Sequence, residues 1–121
     1  MKTVSFRFVN QRLSRQLAGI KPQATDTRFC LSTEVSSVYT YGNKTRKNHH
    51  LIYAPDFETA ELINTQLSRY GDLSLDGRPT VSLSSRDLLE IVLEASPHAY
   101  LVPAHAWTPW FSTLGFQRRL R

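Results

Sequence analysis

Residues 84–111 read SSRDLLEIVLEASPHAYLVPAHAWTPWF, and the fold class follows from their punctuation. Ser84 and Asp87 have the Ser-x-x-acid spacing that closes a helix N-terminus. Leu88, Leu89, Val92 and Leu93 recur at helical spacing and give the helix one apolar face. Pro97 ends it, because its ring cannot continue the helical hydrogen bonding. Residues 99–102 form a short apolar run that suits a strand buried on both faces. Pro103, Ala104 and His105 then leave that strand at its C-terminal end, where α/β sheets place their chemistry. His105 is the first candidate site residue, with Trp107 and Trp110 beside it.

Upstream, residues 73–83 read as a loop around the Asp76-Gly77 turn, and Pro79 holds Arg78 extended. Arg78 is either a solvated turn residue or a partner for phosphate. Before the loop comes a helix with Asp56 as N-cap and Gly71 as stop, burying Phe57, Ala60, Ile63, Leu67 and Tyr70. Residues 51–54 look like a short buried strand opened by His49 and His50. Adjacent strand residues face opposite ways, so at most one of these histidines serves a given pocket. Lys44, Arg46 and Lys47 follow the Tyr41-Gly42-Asn43 turn. They read as a solvated hairpin edge or as a grip for phosphates. Residues 27–33 suit another strand, with Glu34 at its end among small hydroxyl and apolar residues.

The chain has 121 residues, 40% of them hydrophobic, which allows one domain with a modest core. Its formal charge of +5 and pI near 9.7 favour an anionic partner such as nucleic acid. The single cysteine, Cys30, excludes an internal disulfide framework and a multi-cysteine zinc site within one chain. It reads as a buried strand residue in a reducing compartment, and the expected location is the cytoplasm. No window approaches the ~20 apolar residues of a membrane-spanning helix. Residues 1–26 read as a basic leader without an acidic residue before Asp26, and 116–121 as a basic tail.

Strand, site residue and helix, repeated, make an α/β pattern. Glu34, one of His49 and His50, and His105 each fall at an expected strand end. A carboxylate with two imidazoles is ligand chemistry for zinc, manganese or iron.

The segments LSTEVSSVY (31–39), KNHHLIYAPDFETAELIN (47–64), DGRP (76–79), SRDLLEIVLEASP (85–97) and YLVPAHAWTPWFSTLG (100–115) carry a resemblance. They are similar to the middle of the PHP family of metal-dependent phosphoesterases, and more closely to its endonuclease Q branch. Those enzymes nick DNA on the 5′ side of deaminated bases. Glu-Val-Ser-Ser and Pro-Ala-His-x-Trp-Thr-Pro-Trp are the most specific segments. The resemblance implies a partial PHP-type (β/α) barrel over residues 27–115, with parallel strands alternating with helices and the first and last strands missing. It implies metal ligands at Glu34, His49 and His105; His49 matches the family's position better than His50. The expected cofactor is a divalent metal, zinc or manganese, and the expected partner is DNA. Arg78, Lys44, Arg46 and Lys47, with Trp107 and Trp110 as walls, are the expected substrate contacts.

The family also opens on a His-x-His strand and carries an Asp-x-His beyond the Pro-Ala-His loop. This sequence has neither. The expectation is therefore a truncated relative that retains metal poorly, is inactive or very weak alone, and is either marginally stable or packed against another chain that covers its strand edges. The alternatives are a basic nucleic-acid-binding module without catalysis, and a decayed gene product.

Overall fold

A computed structural model of the chain describes residues 30–75 and 77–114. The expected basic leader (1–26), the tail (116–121), the first part of the strand expected at 27–33, and Asp76 lie outside the described residues. In order, the elements are β1 (Leu31–Tyr41), β2 (Lys44–Ala54), α1 (Phe57–Leu67), β3 (Thr80–Val81), α2 (Ser85–Ala95) and β4 (Tyr100–Pro103). The strands form one sheet in the order β3-β1-β2-β4.

The pairing corrects the expectation of parallel strands. β1 and β2 run antiparallel from Tyr41↔Lys44 back to Leu31↔Ala54, and β2 pairs antiparallel with β4; only β3 lies parallel to β1. The cause is the turn at Gly42 (φ 56) and Asn43 (φ 58). Two residues in the left-handed region make a tight hairpin turn whose twist matches that of the flanking strands. A parallel pair would need a crossover of about a dozen residues, and this link has no room for one. The hairpin also lengthens both strands. Glu34 therefore lies inside β1 rather than at a strand's end, and His49 and His50 lie inside β2 rather than ahead of it.

Both helices cover the same face of the sheet. Asp56 caps α1 by accepting from the Thr59 N–H at 2.7 Å, and Ser84 caps α2 by accepting from the Asp87 N–H at 3.1 Å. Ala60, Ile63 and Leu67 of α1 and Leu88 and Val92 of α2 are buried against Val35, Ile52 and Ala54 of the sheet. Phe57, in the first turn of α1, and Tyr70, beyond its last residue, are exposed, so the expected stripe is narrower. Leu89 and Leu93 are likewise exposed on the outer side of α2. Gly71 is required by packing, because a Cβ there would collide with the Thr80 carbonyl oxygen of β3.

Two burial expectations also change. Among the described residues β4 pairs with β2 alone and lies at the sheet edge, so Tyr100 and Val102 are exposed rather than sealed on both faces. Cys30 precedes the first residue of β1 and is exposed. Among the described residues no helix is long and apolar enough to cross a membrane.

Candidate metal centre

Side chains alternate across a strand, and the register assigns each residue of the hairpin to a face. Val35, His50 and Ile52 belong to the face under the helices. Glu34, Ser36, His49 and Leu51 belong to the opposite face, since Glu34 pairs with Leu51 and Ser36 with His49. β4 brings its C-terminal end to the same level, with Pro103 opposite His50, and the chain then turns His105 over that second face.

There three ligand atoms converge. His49 Nδ1 is 3.2 Å from Glu34 Oε1 and 3.1 Å from His105 Nε2, and His105 Nε2 is 3.9 Å from the same carboxylate oxygen. Ligands held about 2.0–2.2 Å from a tetrahedral zinc stand roughly 3.3–3.6 Å from one another. The observed spacings match that edge length to within a few tenths of an ångström. One carboxylate oxygen and two imidazole nitrogens therefore fit a divalent cation in both geometry and donor type.

The electrostatics agree. Burial pushes the His49 imidazole below its ordinary value of 6.5, and the Arg78 guanidinium adds to this; Glu34 pulls it back up, and His105 lowers it further. A neutral imidazole is the form that binds metal. Arg78 approaches Glu34 Oε1 at 3.4 Å with its side chain half exposed. It is the cation nearest the cluster among the contacts the structure shows.

His50 does different work. Its ring lies on the helix side, with Nε2 3.0 Å from Ser85 Oγ at the start of α2. With its carboxamide turned so that the oxygen faces Ser85, Asn48 accepts from Ser85 Oγ and donates to the Ser112 and Lys47 carbonyls, each at 3.0 Å. The one hydroxyl proton of Ser85 is thereby used, so His50 Nε2–H is the donor in its own contact. His50 Nδ1 is left buried without a partner. Burial, then the neighbouring His49, lowers its pKa.

Of the residues singled out in the sequence, Glu34, His49, His105 and Arg78 meet. Lys47 shares the face of His49, two residues along β2, whereas Lys44 and Arg46 alternate to the other face near the hairpin turn. Trp107 and Trp110 stand 81% and 66% exposed on the loop after His105, so they are not core aromatics. Two residues of that loop were not singled out. Phe111 (φ 54) stacks on the His49 ring at 4.7 Å, and its carbonyl accepts from the His49 N–H at 3.0 Å. Thr108 Oγ1 lies 3.1 Å from His105 Nδ1. The available signal was their place within the Pro-Ala-His-x-Trp-Thr-Pro-Trp-Phe run, which a turn folds back on both histidines.

No family model matches this chain. It is 34% identical over 88 residues to an uncharacterized protein of Methanocaldococcus jannaschii, a match spanning 72% of this chain and 10% of that protein. Among solved structures it is similar to the lesion-specific endonuclease PfuEndoQ of Pyrococcus furiosus, with a TM-score of 0.62 and 23% identity. That match covers 84% of this chain and 25% of the endonuclease. The chain thus spans a small part of each, and its mixed four-stranded sheet with two helices is similar in fold to that part of the endonuclease.

Proposed function

We propose that Glu34, His49 and His105 bind a divalent cation, zinc or manganese, and that the site belongs to phosphodiester hydrolysis on DNA. The observation that carries this reading is the convergence of three ligand atoms on the open face of the sheet. The similarity in fold to a lesion-specific endonuclease supports it, as does the resemblance to PHP phosphoesterases, which also suggests that the sheet is part of a barrel. A metal held there supplies charge against a phosphate and a source of hydroxide near neutral pH.

The chain's own residues have distinct tasks. Glu34 gives the cluster its negative charge, and Arg78, paired weakly with it across solvent, presents its remaining N–H groups to a phosphate oxygen. Lys47 extends the positive track along the same face. Lys44 and Arg46 continue it around the hairpin. Trp107 and Trp110 offer exposed rings on which bases stack. In the family the nick falls 5′ of a deaminated base, and this is the substrate we propose. The family's other ligand motifs have no counterpart in this sequence, so turnover by this chain alone is expected to be weak or absent.

Two exposed tryptophans, together with the exposed Lys44, Arg46 and Lys47 of β2, also suit a nucleic-acid-binding module without chemistry. One experiment separates the readings. Metal content per chain is measured after purification without chelator and exhaustive dialysis, for wild type and Glu34→Ala. Retention by wild type and loss in the variant supports the metal centre; no retention by either overturns it. A passive binder would hold single-stranded DNA in a salt-sensitive manner, indifferent to chelator. It would weaken when Lys44, Arg46 and Lys47 are neutralised.

A further inference from the structure

We infer that Thr108 is a positioning residue that fixes which ring nitrogen of His105 faces the metal cluster. The inference rests on the metal-binding reading above and concerns its most exposed ligand. His105 lies on a turn with φ 35, and its side chain is 37% exposed. An imidazole so placed has little packing to hold its tautomer, yet only one tautomer leaves Nε2 free to ligate.

Counting donors and acceptors decides the matter. A threonine hydroxyl has one proton to give and two lone pairs to accept with. Thr108 Oγ1 lies 3.0 Å from the Trp110 carbonyl oxygen and 3.1 Å from that of His105. Carbonyls only accept, and with two of them in reach against one ring nitrogen we assign the hydroxyl proton to them. The 3.1 Å contact between Thr108 Oγ1 and His105 Nδ1 then requires Nδ1–H as donor. A neutral His105 protonated at Nδ1 carries a bare lone pair on Nε2, the atom 3.1 Å from His49 Nδ1. His49 is the donor in that contact. Histidine ligands commonly have their free nitrogen fixed in this way, by a hydrogen bond outside the metal's own ligand set.

The loop keeps the hydroxyl in place. The Thr108 N–H donates to the His105 carbonyl at 3.1 Å, and the Leu114 N–H to the Ala106 carbonyl at 2.9 Å. Ser112 Oγ donates to the Thr108 carbonyl, and Phe111 ties the far side of the loop to His49. Thr108 is therefore set before any cation arrives, and so is the tautomer of His105.

The test compares wild type, Thr108→Val and Thr108→Ser. Valine keeps the shape and removes the acceptor; serine keeps the acceptor. Long-range 1H–15N correlation on the metal-free chain at about pH 8 reads the tautomer directly. The Nδ1–H form at His105 is expected in wild type and Thr108→Ser, and its loss in Thr108→Val. Zinc titration is expected to show about 10–100-fold weaker binding for Thr108→Val, with Thr108→Ser close to wild type. An Nε2–H tautomer in wild type overturns the inference whether or not any variant folds. An unchanged tautomer and zinc affinity in Thr108→Val also overturns it. Wild type with the Nδ1–H form but no zinc uptake supports the role of Thr108 and overturns the metal reading instead.

Discussion

On one face of the sheet Val35, His50 and Ile52 are sealed beneath two helices; on the other, their sequence neighbours Glu34 and Leu51 stay partly open, and His49 is shielded by one aromatic ring of a loop. The same two strands supply both sets. Because the period of a strand is two, a shift of one residue exchanges stability for chemistry. The pair His49–His50 shows this most directly. One imidazole points its nitrogen at a carboxylate and a second imidazole; the other fastens β2 to the start of α2 through Ser85. The packed face anchors the hairpin, and Glu34 and His49 stand 3.2 Å apart on the other face, where Glu34 stays partly exposed among the described residues.

The comparison breaks most easily where the packing is densest. Ile52→Ala empties a fully buried position and is expected to lose about 2–5 kcal/mol of unfolding free energy. Leu51→Ala, one residue away on the open face, is expected to cost less than about 1 kcal/mol. Urea unfolding of both variants makes the measurement. Equal losses would mean that both faces are packed in solution.

The adjacent histidines sharpen it further. His49→Ala is expected to reduce zinc affinity by more than about 100-fold, beyond the range of changes outside the ligand set, with little loss of stability. His50→Ala should do the reverse, costing about 1–3 kcal/mol by stripping a buried hydrogen-bond partner from Ser85 while zinc affinity stays near wild type. Calorimetric titration with zinc, alongside thermal unfolding, distinguishes the two outcomes; matching losses in both assays for both variants would dissolve the distinction between the faces.

The smallest expected effect is on pH. Both histidines have folded pKa values below 6.5, so the unfolded chain binds protons first as pH falls. Stability is therefore full above about pH 6.5 and declines as pH drops through the folded values, the sign required when the unfolded state binds more protons. Unfolding midpoints across that range should fall in wild type and fall less in His50→Gln. A midpoint that rises on acidification would contradict the buried, neutral state of these rings.

Much of this was written locally in the chain. The Ser84 and Asp56 caps, the buried positions Ile63, Leu67, Leu88 and Val92, and the turn at Gly42-Asn43 follow from contacts within a few residues, which a sequence displays. The members of the candidate cluster stood out for the same reason: Glu34 and His105 are polar residues placed against apolar walls, and the doublet of His49 and His50 announces that only one can share a face with Glu34. Thr108 and Phe111 were not, because a threonine or phenylalanine after a proline-rich turn has many ordinary explanations until its partner is known.

The sequence by itself determined the helices, their caps and the turn at Gly42-Asn43, all through short-range backbone chemistry, and it held the three residue types of the candidate cluster. Only the tertiary structure decided that the hairpin runs antiparallel along the full length of both strands and that His49 rather than His50 shares a face with Glu34. It also placed His105, 56 residues beyond His49, at 3.1 Å from it. Those outcomes depend on strand register and on loop closure over long separations, which are set by the mutual burial of distant residues and leave no local trace.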